Sequence, residues 1–196
     1  MHKIGLLCFA FFTITHFSYT QNQKVIALVN QSLLLATDTV AIHKVKSIVG
    51  DNAAYSSIFD SIPSINPLNP KKLKRFSSRF GNRFHPIDGK YKKHLGIDIS
   101  AAGGTPVHSA AAGVIKNTVS SSKGFGNQVF ITHAFGFSTR YAHLHQFIVK
   151  KGQHVKKGDI IGFVGSTGKS TADHLHFEIL KVGKAINPYP FCFLGF

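Results

Sequence analysis

Tyr91-Lys-Lys-His-Leu-Gly-Ile-Asp-Ile-Ser100 is the stretch whose reading decides the fold. With a period of two it separates Leu95, Ile97 and Ile99 from His94, Gly96 and Asp98. Successive side chains of a strand leave opposite faces of a sheet, so this alternation predicts a half-buried β-strand. Its polar face offers an imidazole and a carboxylate, both good zinc ligands. The glycine between them leaves room for close approach to the backbone.

Two other segments carry the same signature. In His174-Leu-His-Phe-Glu-Ile179, alternation places His174, His176 and Glu178 on one face and Leu175, Phe177 and Ile179 on the other. In Thr139-Arg-Tyr-Ala-His-Leu-His145 it groups Tyr141, His143 and His145 opposite Ala142 and Leu144. A lone histidine is commonly a surface or hydrogen-bonded residue. Three segments of the same parity point to a metal site built across adjacent strands. They lie in a chain with 12 His and only 8 Asp and Glu. Glu178 is the sole glutamate, so acid–base chemistry falls mainly to His and Asp.

From Phe76 onward, short apolar runs alternate with glycine-rich turns. Residues 107–112, 114–119, 128–133, 139–145, 160–164 and 174–180 read as strands. Gly103-Gly104, Lys123 to Gly126, Lys157 to Asp159 and Ser166 to Gly168 read as turns. No helix here is long enough for β–α alternation, so the expectation is an all-β domain with an antiparallel, sandwich-like core. Gly168-Lys169-Ser170 resembles the end of a phosphate-binding loop. The glycine that such a loop needs five residues earlier is Phe163, so the segment reads as a turn.

The N-terminal part has another texture. Residues 1–20 read as a secretory signal: a short basic start at His2 and Lys3, an apolar run from Ile4 to Phe12, then small and polar residues. That run is short for a membrane span, and no later stretch is longer. Cys8 lies inside it without the small residues that precede a lipidated cysteine. Residues 21–50 show helical spacing and predict two short helices. Residues 51–70 are rich in Asn, Ser and Pro and read as an extended, turn-filled connection. The expected organisation is a signal at 1–20, a helical and linker segment at 21–70, and a β domain at 71–196. Cys192, between Phe191 and Phe193, reads as buried filler without a disulfide partner.

The 23 Lys and Arg set a formal charge of +15, which attracts polyanions or anionic surfaces. An export signal, clustered histidines and the lack of a basic-aromatic motif argue against nucleic acid.

Taken in order, Ser78-Arg-Phe-Gly-Asn-Arg-Phe-His-Pro-Ile87, His94-x-x-x-Asp98, Gly104-Thr-Pro-Val107, Ala112-Gly-Val-Ile115, Tyr141-Ala-His-Leu144, Gly158-Asp-Ile-Ile-Gly162, Ser166-Thr-Gly168 and His174-Leu-His-Phe-Glu178 resemble the lysostaphin-type zinc endopeptidases, the M23 group of cell-wall hydrolases. The likeness covers about residues 76–190. It implies an antiparallel β fold, one Zn²⁺ per chain held by His94, Asp98 and His176, and His143 and His174 as catalytic histidines outside the ligand set. His145 falls outside that set. With the signal at 1–20, the expectation is an exported, monomeric endopeptidase that cuts cross-bridges or stem peptides of peptidoglycan through a zinc-bound water. Some members of such a fold lose metal ligands and activate other wall hydrolases; the complete ligand set here favours catalysis. Arg140 and Tyr141 are candidates to assist the oxyanion. Glu178 is either a partner of a ligand histidine or a strand residue at the rim. Asn66 or Asn69 is a candidate to reach the open metal position from the N-terminal segment.

Overall fold

The computed structural model describes residues 21–50, 52–85 and 89–196. The signal reading and Cys8 lie outside them, as do Pro86 and Ile87 of the first motif. The chain divides into two compact units, Met1–Tyr55 and Ser56–Phe196.

In the first unit, residues 21–35 form helix α1 and Thr39–Val49 form α2. Asp38 caps α2 by accepting the Ala41 N–H at 2.9 Å. Gly50 closes it at φ 62°, donating its N–H to the Lys46 carbonyl at 2.9 Å. Val29, Leu33 and Ile42 are buried, following the helical spacing. A third helix, α3 (Ala53–Asp60), runs across the division into the second unit, to which residues 61–70 belong, and occupies the first half of the expected connection. The prolines that bar regular structure begin only at Pro63, so nothing prevents this turn of helix before them. Residues 61–70 are irregular, as their composition demands, and they are packed. Ser64 N–H donates to Ala110 O at 3.1 Å, and His108 N–H donates to Pro67 O at 2.8 Å. The side-chain oxygens of Asn66 and Asn69 accept the N–H groups of Leu68 and Lys71, at 3.0 and 2.9 Å. Both therefore serve local turns.

The second unit is antiparallel β. Its strands are β1 (Leu73–Ser78), β2 (Gly81–His85), β3 (Lys90–His94), β4 (Ile97–Ala101), β5 (Pro106–His108), β6 (Gly113–Val119), β7 (Asn127–Thr132), β8 (Phe137–Phe147), β9 (His154–Val155), β10 (Ile160–Val164), β11 (His174–Lys181) and β12 (Lys184–Ile186). The main sheet runs β1-β4-β11-β8-β7-β6-β9; β10 pairs with β5 and β8, and β12 with β11. Strands β2 and β3 form a separate two-stranded ribbon.

The opening stretch is thus two strands. β3 ends at His94 in the ribbon, and β4 resumes at Ile97 in the main sheet. Leu95, expected with Ile97 and Ile99 on the buried face, is 41% exposed. Gly96 sits at the crossing because no larger residue fits: a Cβ there would lie 2.4 Å from the Phe177 carbonyl oxygen. The close approach that the sequence suggests at this glycine is made by β11.

Cross-strand register builds the core. Leu175 lies opposite Ile99, and Phe177 lies opposite Ile97 on one side and Tyr141 on the other. All five are essentially inaccessible, and each such aliphatic or aromatic side chain contributes roughly 1.5–3 kcal/mol on leaving water. The opposite face of the same three strands carries Asp98, His176 and Ala142 in one row, with Glu178 opposite Arg140 in the next. Cys192 is buried, as expected of filler, and burial pushes its thiol up to about 12.

Candidate metal centre

His94, Asp98 and His176 come together from β3, β4 and β11, each buried, with one ligand atom apiece inside a 4.8 Å cluster. Asp98 Oδ1 lies 2.9 Å from His176 Nδ1 and 3.2 Å from His94 Nε2, and those two nitrogens are 3.1 Å apart.

The outward side of each ring explains which atom faces the cluster. His94 Nδ1 lies 2.8 Å from the Arg79 carbonyl oxygen, which can only accept. The ring proton is therefore on Nδ1, and Nε2 presents a lone pair inward. His176 Nε2 lies 2.9 Å from Glu178 Oε1, so its proton is on Nε2 and Nδ1 faces inward. In the neutral tautomers that these outer partners favour, two imidazole lone pairs face the Asp98 carboxylate oxygen. Such a set can hold a cation, and its nitrogen and oxygen composition suits a zinc-like ion. Burial pushes the Asp98 carboxyl up, but hydrogen bonds with His176 and His94 outweigh it and hold Asp98 well below the usual carboxylate range. Burial opposes protonation of His176, while Asp98 and Glu178 outweigh it and raise its affinity for a positive charge.

His143 and His174 border this cluster. Their rings are 4.8 Å apart, and the His143 ring is 6.1 Å from that of His176. His143 Nδ1–H donates to Thr167 O, and His174 Nδ1–H donates to Ala172 O, both at 2.8 Å. Both Nε2 atoms are thereby left as acceptors, and that of His174 lies 3.8 Å from Asp98 Oδ1. Burial pushes His143 down to about 4, so it is neutral at pH 7.

Alternation does not explain His143. Register puts Ala142 beside His176, so regular alternation would send His143 into the core with Tyr141. His143 instead adopts φ 58°, left-handed for a non-glycine residue, and leaves the pleat. Its N–H donates to Phe125 O at 2.9 Å. Such strain persists only where surroundings over-determine it, and it concentrates at functional sites. The surroundings here are two interlocked turns: a Cβ on Gly126 would lie 2.3 Å from Thr167 O, and one on Gly168 would lie 2.3 Å from Gly126 N. Ser166 to Gly168 is therefore the turn that holds His143, and no phosphate loop.

Tyr141 is removed from the site by the same register. It is buried in the core, and its hydroxyl accepts the Ala110 N–H at 2.8 Å. Arg140 is committed elsewhere. It donates from Nε to Gln128 Oε1 at 2.9 Å and from Nη1 to Glu178 Oε1 at 3.3 Å, and its guanidinium lies 3.7 Å over the Phe125 ring. Neither residue is free to assist an oxyanion. Glu178, left open between two roles, is a buried partner of His176. His145 is exposed. Sequence reasoning missed Phe125, whose ring packs 5.0 Å from His176 and 6.0 Å from His143. It also missed the carbonyls of Arg79 and Thr167, for which no side-chain pattern exists.

The family model for peptidase family M23 matches residues 92–188. Over 122 residues the chain is 48% identical to the DD-carboxypeptidase/endopeptidase Mpg of Neisseria meningitidis, covering 62% of this chain and 28% of that protein. It is 41% identical over 121 residues to the peptidoglycan DD-endopeptidase ShyC of Vibrio cholerae, covering 61% and 28%. The chain thus spans little more than a quarter of these relatives' length. The catalytic domain of lysostaphin from Staphylococcus simulans superposes with a TM-score of 0.54 at 36% identity, covering 60% of this chain and 91% of that domain. With its motifs, fold and site geometry in agreement, the chain belongs to peptidase family M23.

Proposed function

We propose that the protein is an exported zinc endopeptidase that hydrolyses peptide cross-bridges or stem peptides of bacterial peptidoglycan. The observation that carries this reading is the convergence of His94 Nε2, His176 Nδ1 and Asp98 Oδ1 beside two further histidines. Arg79 O and Glu178 support it by accepting from the outward nitrogens of His94 and His176.

His94, Asp98 and His176 would hold the ion, and three protein ligands leave a position for substrate or water. Bound there, zinc lowers the pKa of a coordinated water to about 7 and polarises a scissile carbonyl. The chain's own residues handle protons and position. His143 and His174 each turn Nδ1 to a main-chain carbonyl, which leaves Nε2 to take a proton and return it to the departing amine. Phe125 covers one side of the His143 and His176 rings and limits water there. The net charge of +15 suits an anionic wall polymer. A complete donor set supports catalysis over a non-catalytic regulatory role on this fold. In the proposed organisation residues 71–196 form the peptidase domain, residues 21–70 are its N-terminal appendage, and the mature chain is a monomer. Among the described residues, no helix is long and apolar enough to cross a membrane.

The test is to incubate purified protein with isolated peptidoglycan and follow turbidity and released fragments, with and without chelator. Cleavage that stops on chelation and in Asp98→Ala supports the reading. A protein that leaves the polymer intact at full zinc occupancy refutes it.

A further inference from the structure

Beside the metal cluster lies a charged group that the proposed chemistry leaves unused. Arg83 stands on β2, and its Nη2 is 3.6 Å from Asp98 Oδ2. That separation exceeds a hydrogen bond. Arg83 Nε is buried and has no hydrogen-bond partner among the described residues. An unsatisfied buried donor is costly and rare, and a guanidinium carries a rigid fork of donors matched to planar carboxylates.

The ribbon around it sharpens the point. Arg83 lies directly opposite Lys92, so the two cations share one face of β2–β3. Like charges placed opposite each other disfavour the pair unless something else compensates. Lys90 and His94 occupy the same face of β3, at alternate positions on either side of Lys92. From His94 outward, this face therefore carries a ligand histidine, then Arg83 and Lys92, then Lys90. Asp98 Oδ2, 3.6 Å from Nη2, gives Arg83 a neighbouring negative charge without a hydrogen bond.

We propose that Arg83, backed by Lys92, binds a carboxylate of the peptide substrate and selects peptides with a free carboxylate close to the scissile bond. The exposed part of the guanidinium fork engages that carboxylate. The cationic face of the ribbon then orients the acidic peptide toward the cluster. This deepens the peptidase reading and rests on it for the identity of the substrate.

The test uses zinc-loaded full-length protein and the product peptides of a stem-peptide cross-link, prepared with free carboxylates or as primary amides. Calorimetric titration gives affinities that do not depend on turnover. The free acid binds the wild type about tenfold or more tighter than the amide. Arg83→Gln binds both forms alike at unchanged zinc content, and Arg83→Lys restores part of the preference. Equal affinity of the wild type for acid and amide overturns the proposal. So does an equal loss for both forms in Arg83→Gln, which would make Arg83 a positioning residue acting through Asp98. Carboxylate-selective binding by a protein that cleaves no peptidoglycan would refute the peptidase reading and leave the carboxylate site standing. Cleavage without selectivity would do the reverse.

Discussion

Replacing Glu178 by Gln isolates the contribution of the groups behind the proposed ligands. Glu178 is 3% exposed, with Oε1 2.9 Å from His176 Nε2 and 3.3 Å from Arg140 Nη1. The carboxylate fixes the His176 tautomer with Nδ1 inward and makes that nitrogen more basic. Glutamine keeps the volume and one acceptor but removes the charge, and its amide can also turn a donor toward the His176 N–H. Loss of such an outer partner weakens metal binding by about 10- to 100-fold, or roughly 1.4–2.8 kcal/mol. Arg140 retains Gln128 and the Phe125 ring, so the sheet survives the exchange. Competition with a chromophoric chelator at pH 7 measures the zinc dissociation constant, and urea unfolding of the metal-free proteins reports any loss of fold. His145→Gln, on an exposed residue, is the control. A Glu178→Gln zinc affinity within about threefold of wild type, with the fold intact, would refute the reasoning. The His176 ring would then be oriented by packing alone.

Three further outcomes follow from the same geometry. His143→Ala and His174→Ala keep their zinc by metal analysis but lose about 10²- to 10⁴-fold in turnover of a peptide substrate; loss of the metal instead would place these residues among the ligands. Gly96→Ala forces a Cβ to 2.4 Å from Phe177 O and lowers stability by about 1–3 kcal/mol or more in urea titration. An unchanged midpoint would mean that β4 and β11 separate freely. Burial pushes His133 down to about 4, while in the unfolded chain it titrates near 6.5. Between those values the unfolded state binds more protons, so this contribution is complete above 6.5 and is lost as pH falls toward 4, up to about 3 kcal/mol. The stability difference between wild type and His133→Gln should narrow by that amount from pH 7 to pH 4. A constant difference would refute the assignment.

Much of this site is legible in the chain because β11 keeps strict alternation. His174, His176 and Glu178 lie on one face and Leu175 and Phe177 on the other, as a period of two requires. The first stretch was legible in composition and not in continuity. A strand that leaves one sheet for another at Gly96 still alternates on either side of the break, so the pattern hides the crossing. His143 illustrates the opposite limit. Its parity suggests a shared face with Tyr141, whereas register and a positive φ separate them, and backbone conformation of that kind has no side-chain signature outside glycine. The partners that choose the tautomers are also out of reach, since three of the four are main-chain carbonyls brought in by tertiary structure. α3 went unread because nearby prolines dominate the composition of residues 51–70.

The most direct test of the central claim is to titrate zinc into metal-free protein while measuring bound metal and cleavage of peptidoglycan cross-links by mass spectrometry. Cleavage should rise in proportion to occupancy, level off at one zinc per chain and never appear in Asp98→Ala. Cross-link cleavage by metal-free protein, or none at full occupancy, would contradict it.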